Sequence, residues 1–221
     1  MRALLDLILP VECGGCGAPG TSWCDGCRRL LADVPIEVHT RVDTGVEVWA
    51  LGPYSGPRRR AVIAAKERGR RDLADPLGRA LSGALGRLRR WGELDPAGPL
   101  VLVPAPSRPR AARGRGGDPV LRAAQVAATA TGGCRVVPAL TMRVGVRDSV
   151  GLSAARRQQN LAGRIRFTAA GTGLRRGGGE WGSQVVLVDD VVTTGATVAE
   201  SVRVLASAGV AVTAALVVAA A

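Results

Sequence analysis

Two adjacent carboxylates, Asp189 and Asp190, are followed after three residues by Thr194-Gly195-Ala196-Thr197, and with Thr193 these form a short segment dense in hydroxyls. A hydroxyl-rich loop that opens a helix gathers backbone N–H groups and the positive end of the helix dipole, which is a seat for an anion. A bare phosphate beside two acids would be repelled, so the ligand must also bring hydroxyls or a divalent metal for the carboxylates to hold. A sugar phosphate meets both demands. The competing reading is a buried strand whose Asp pair caps the turn after it.

A second constellation lies near the start of the chain. Cys13 and Cys16, then Cys24 and Cys27, form two Cys-x-x-Cys pairs separated by seven residues. Such knuckles place four thiolates around one zinc, with Gly14, Gly15, Gly17 and Gly26 easing the turns, and a reducing compartment favours metal over disulfides. A closed site of four cysteines is structural, since it leaves no open position for substrate. A vacant site or a redox pair is the alternative. His39 is the only histidine and has no ligand pattern around it, so chemistry that relies on a histidine base is not expected. Cys134, at the start of an apolar run, reads as a small core residue.

The elements that must position these residues follow from periodicity. Val185 to Val188 is a continuous apolar run, the mark of a strand buried on both faces, with the two acids at its end. A helical pattern continues through Val198, Val202 and Leu205 to a stop at Gly209, and Val210–Ala221 reads as a buried strand too short to span a bilayer. Upstream, Leu100–Val103 is a strand stopped by Pro104-Ala105-Pro106. A loop from Ser107 to Gly117 carries Arg108, Arg110, Arg113 and Arg115, and a helix runs from Pro119 to about Thr131. Those guanidiniums suit a diphosphate, a nucleic acid backbone or mere solvation. Residues 134–142 read as one strand interrupted by Pro138, residues 143–167 as a long polar lid or binding loop, and Ala169–Gly182, with six glycines, as a mobile hairpin.

On the amino-terminal side, Val46–Leu51 alternates like a half-buried strand. A basic helix follows from Arg58 towards Gly69, in which Lys66 is either a phosphate contact or part of a solvated face. A helix from about Leu73 to Trp91 is apolar at Leu77, Leu81, Leu85 and Leu88. The breakers at Asp95–Pro99 suggest a boundary. The expected organisation is 1–45 zinc-binding knuckle and linker, 46–98 a strand/helix hood, and 99–221 an α/β core.

With 221 residues, 47% hydrophobic but only 3% aromatic, the core must be built of Val, Leu and Ala. The net charge is +12, and residues 101–183 hold fourteen arginines against three acids. That concentration draws a polyanion, although the shortage of aromatics argues against a dedicated single-strand stacking platform. No signal peptide or spanning segment is evident, so a cytoplasmic protein without membrane insertion is expected.

The segment from Val185 to Thr197 closely resembles the phosphoribosyl pyrophosphate (PRPP) motif of type I phosphoribosyltransferases. The order of the four-cysteine knuckle, Pro53-Tyr54-Ser55-Gly56, Lys66 with Gly69, Val103-Pro104-Ala105-Pro106, Arg115-Gly116, Gly151-Leu152-Ser153 with Arg156, Arg157 and Asn160, and then that motif resembles the competence protein ComF family over nearly the whole chain. Two departures, Gly117-Asp118-Pro119 after Arg115-Gly116 and Ser149-Val150 ahead of Gly151, fall beside the expected diphosphate and acceptor regions.

The resemblance implies an α/β fold, a type I phosphoribosyltransferase-like parallel sheet flanked by helices, with a small zinc module. It implies that Asp189 and Asp190 hold ribose hydroxyls in the catalytic centre, and that Thr193, Thr194, Gly195, Ala196 and Thr197 cradle the 5′-phosphate. Arg108, Arg113 and Arg115 would grip the diphosphate with Mg2+, and the 143–167 loop would close over substrate. The implied activity is phosphoribosyl transfer to an acceptor with release of diphosphate, in DNA uptake. The alternative is a non-catalytic protein of DNA uptake or recombination that binds single-stranded DNA and uses the fold as a ligand sensor. Under either reading, single-stranded DNA or a competence helicase is the further partner.

Overall fold

The computed structural model describes residues 11–107, 117–143, 163–174 and 184–221. A short helix α1 (Asp25–Leu31) follows the first cysteines. The strands β1 (Ile36–Glu37) and β2 (Glu47–Ala50) precede the helices α2 (Gly56–Glu67) and α3 (Ala74–Trp91). Then come β3 (Leu100–Pro104), α4 (Pro119–Thr131), β4 (Cys134–Val136), β5 (Leu140–Met142), β6 (Ile165–Phe167), β7 (Gln184–Val192), α5 (Ala196–Ser207) and β8 (Ala214–Ala220).

Six strands form one sheet in the order β1-β2-β8-β7-β3-β4, parallel throughout except for the antiparallel β1–β2 pair. Its faces pack into two separate cores, because alternate side chains along a strand leave opposite sides. Val186 and Val188 of β7 join Leu100, Leu102, Leu216 and the apolar stripes of α3 and α4. Val185 and Leu187 join Val101, Val103, Val217 and α5 through Val198 and Leu205. Burial of both faces explains why β3, β7 and β8 are unbroken apolar runs. The fold is thus mixed α/β, a mostly parallel sheet flanked by helices, with a four-cysteine cluster near the amino terminus.

Several elements differ in detail from the sequence expectation. The 46–51 strand is not half-buried. Val48 and Ala50 enter one core while Trp49 and Leu51 enter the other, because side chains pack on both faces of the sheet at β2, with Trp91 of α3 against Trp49. The 134–142 strand is two strands in different sheets. β4 pairs with β3, whereas β5 pairs antiparallel with β6, and Pro138, which cannot donate to a ladder, stands at the break. The acids do not end their strand, for β7 continues to Val192 on its pairing with Ala219 and Ala220 of β8. Ala169–Leu174 is a 3-10 helix rather than part of a mobile hairpin. The remainder of that segment, the basic loop at 108–116 and residues 144–162 lie outside the described residues.

Candidate functional site

β7 reaches beyond its neighbour. β3 pairs with it only as far as Pro104 opposite Val188, so Asp189 is the first residue of β7 past the end of that ladder, while Asp189 still pairs with Val217 of β8. The two acids therefore stand at the carboxyl rim of a parallel sheet, the position where open α/β sheets bind ligands. Both are part-exposed; the Asp190 side chain keeps 15% of its accessible surface. A cleft lined by Val62, Leu77, Leu81, Val120 and Val218 opens beside them.

The pair is electrostatically unequal. Burial, followed by the neighbouring Asp190 charge, pushes the Asp189 carboxyl up to about 7, against the opposing pull of Lys66 and of the Asp190 N–H. That N–H donates to Asp189 Oδ1 at 2.8 Å. Asp190 has the cation: Lys66 Nζ lies 2.8 Å from its Oδ2 and 3.1 Å from its Oδ1. One carboxylate is thereby paired with an ammonium, while its neighbour readily keeps a proton.

Two residues after β7, the chain turns into α5 through Gly195, whose φ of +85° is left-handed and whose missing Cβ leaves room for Thr40, 2.7 Å from where that carbon would lie. Thr193 is exposed, Thr194 is buried, and Ala196 N donates to Thr194 Oγ1 at 3.4 Å. The linker braces the turn from outside, since Val42 N donates to Thr194 O at 2.9 Å. In a planar trans peptide the carbonyl and the next N–H point opposite ways, so this bond directs the Gly195 N–H away from the linker. Thr197 lies in the first turn of α5, whose dipole favours negative charge.

Lys66 could not be assigned from sequence, because 124 residues separate it from Asp190 and only the packing of α2 over the rim joins them. The brace from Thr40 and Val42 was equally invisible. A linker of ordinary polar composition carries no periodicity that would betray its contact. Arg108, Arg113 and Arg115 lie outside the described residues. His39 is an exposed loop residue, and Cys134, partly buried, has its thiol pushed up to about 11 by burial.

The four cysteines converge. Their sulfurs all lie within 4.8 Å of one another, with Cys13 to Cys27 at 3.7 Å and Cys16 to Cys24 at 3.6 Å. Zinc–sulfur bonds of about 2.3 Å in a tetrahedron require sulfurs about 3.8 Å apart, so the set fits a zinc ion. Burial opposes ionisation of Cys13, but the backbone N–H groups of Cys16, Cys24 and Gly15 outweigh it and bring that thiol down to about 6. Cys27 is pushed up by burial and by its three sulfur neighbours. A dication at the centre would relieve that repulsion.

Residues 125–221 match the phosphoribosyl transferase domain family, a segment that includes β7, the two acids, the turn and α5. No curated protein matches the chain. Among the described residues, no helix is long and apolar enough to cross a membrane.

Proposed function

We propose that this chain binds PRPP and transfers its phosphoribosyl group to an acceptor nucleophile, releasing diphosphate. The observation that carries the reading is the placement of Asp189 and Asp190 at the carboxyl rim of β7, two residues ahead of a turn that opens a helix. The match of residues 125–221 to the phosphoribosyl transferase domain family supports it.

In this reading the acids accept hydrogen bonds from the ribose hydroxyls, and Thr193 to Thr197 hold the 5′-phosphate on backbone N–H groups and hydroxyls. As the bond from C1 to the diphosphate oxygen breaks, positive charge develops on the ribose and is met by the Asp190 carboxylate. A bond from the nucleophile to C1 forms, and the nucleophile's proton is released. Arg108, Arg113 and Arg115 neutralise the leaving group. The two carboxylates offer hard oxygen ligands that suit Mg2+, which would supply further charge neutralisation to the diphosphate. The chemistry asks for alignment and charge more than for a histidine base.

The test is calorimetric titration of PRPP with and without Mg2+ into wild type and into Asp189→Asn/Asp190→Asn. Mg2+-dependent binding in wild type that the double variant loses supports the reading; equal binding, or none in wild type, overturns it.

The resemblance to the ComF family supports a role for this activity in DNA uptake. The density of arginine in residues 101–183 favours, as a second reading, direct contact with single-stranded DNA. Changing Arg108, Arg110 and Arg113 to Ala would then weaken DNA binding and flatten its salt dependence. If affinity and salt slope survive, the basic loop is not a DNA site.

A further inference from the structure

Helix α2 is held at its two ends by different parts of the protein. Near its start Arg58, a charged residue only 7% exposed, donates from Nη2 to Leu30 O at 2.6 Å, at the carboxyl end of α1. Two residues on, Arg60 donates from Nη1 to Cys16 O at 2.7 Å, the carbonyl of a metal-site cysteine. Just past the helix, Arg70 donates to Glu12 O at 3.1 Å and to Ser22 O at 3.3 Å, on the stretches of chain that flank the first knuckle. Asp72 grips the same guanidinium at 2.6 and 2.8 Å. Leu73 fills the space that a side chain on Gly14 would take. The last turn of the same helix carries Lys66, whose ammonium sits on Asp190.

The three arginines each join the α2 segment to backbone of the cysteine module. Backbone carbonyls move only with the chain that bears them, and four thiolates drawn onto one ion would fix that chain. A helix is stiff over its length, so a restraint on Arg60 is felt at Lys66, six residues on and at 1.5 Å of rise per residue about 9 Å distant.

We propose that Lys66 is a positioning residue of the sugar-phosphate site, and that the cysteine module sets its reach to Asp190 through Arg60 and Arg70. The proposal rests on the sugar-phosphate reading given above. Lys66 acts through Asp190: it orients that carboxylate as an acceptor for ribose hydroxyls, and it offsets the repulsion between the two acids and the phosphates of the incoming ligand. A carboxylate has about four lone-pair positions, so the ammonium leaves room for sugar hydroxyls. The metal module is then a foundation for the site rather than an appendage, and its loading state is read at the rim of the sheet.

The experiment is a double-mutant cycle on zinc-loaded protein, with Lys66→Met, Arg60→Met and the double variant titrated with PRPP and Mg2+ by calorimetry. Zinc content and melting temperature are recorded for each. Lys66→Met should weaken PRPP binding by about tenfold, and Lys66→Arg should restore most of it. Arg60→Met, with zinc content unchanged, should weaken binding by about threefold or more, and the double variant should bind no worse than Lys66→Met alone. If Arg60→Met fails to fold, Arg70→Met replaces it in the cycle. Full affinity in Arg60→Met, or in Arg70→Met where that replaces it, or losses that simply add, overturns the coupling while the sugar-phosphate reading stands. No binding by wild type overturns that reading and this inference with it.

Discussion

Lys66 Nζ and Asp190 Oδ2 meet at 2.8 Å across the join between the helical layer and the sheet rim. The lysine side chain is 45% exposed, so solvent screens the pair, and its contribution to folding is at most about 1 kcal/mol. Lys66→Ala should therefore shift the urea midpoint only slightly. A loss of several kcal/mol would mean that the contact exists to hold α2 down rather than to serve the rim.

Four converging thiols, two of them buried, give the amino-terminal module a place for a metal ion such as zinc. Metal analysis should return one zinc per chain. Chelation should lower the melting temperature by far more than loss of any single surface contact, since structural zinc binding is folding energy. Cys27→Ser should do the same, its side chain being 3% exposed and its sulfur central to the cluster. Unchanged melting after complete zinc removal would contradict this.

Gly195 combines a left-handed backbone with a side-chain position already filled by Thr40. Gly195→Ala should cost about 1–2 kcal/mol from backbone conformation alone, with the clash added. Thr40→Gly in the same chain, read against Thr40→Gly alone, should recover only the clash, because the nearest atom is the Thr40 Cβ that alanine would keep. Denaturant melts of the three variants separate the two parts, and full recovery in the double variant would mean that the backbone carries no strain.

Glu200, 8% exposed on α5, accepts from Gly163 N at 2.8 Å and from Arg203 at 2.7 and 2.8 Å. Glu200→Ala strands a backbone donor and should cost about 2–3 kcal/mol, whereas Glu200→Gln keeps an acceptor for Gly163 and should cost less. Equal losses in chemical denaturation would show that the charge, not the hydrogen bond to Gly163, is what matters.

The parts of this molecule that sequence revealed are those in which local pattern and tertiary role coincide. β3, β7 and β8 are buried on both faces and so read as apolar runs. Pro119 announces the start of α4, and the structure adds Asp118 as its cap, with Asp118 Oδ1 accepting from Val120 N at 2.9 Å. The cysteine spacing dictates the convergence of the sulfurs. What escaped was set by packing at long range. Trp49 falls on the Glu47 side of an alternating strand, the side expected to face water, until Trp91 of α3 packs against it with ring centroids 5.7 Å apart. Lys66 is one base among many until α2 is laid across the rim, and Val42 is a linker residue until its N–H meets Thr194. The break of 134–142 into two sheets is announced by Pro138, but only the pairing of β5 with β6 shows where the second half goes.

Asp189 offers a test by pH. Burial and the Asp190 charge raise its carboxyl from 3.8 to about 7 in the folded chain. Between those values the folded form binds more proton than the unfolded form, so this group makes stability fall as pH rises from about 4 to about 7 and leaves it level beyond. Asp189→Asn removes the titration and keeps the shape. The variant should melt above wild type at pH 8, and the difference should shrink steadily as pH falls towards 4, where wild type also carries a neutral side chain. PRPP affinity should move the opposite way at pH 8, since the amide offers one acceptor and no charge to the ribose. A variant less stable than wild type at pH 8 would show that the Asp189 carboxylate is satisfied where it stands, and that the two acids do not strain against each other.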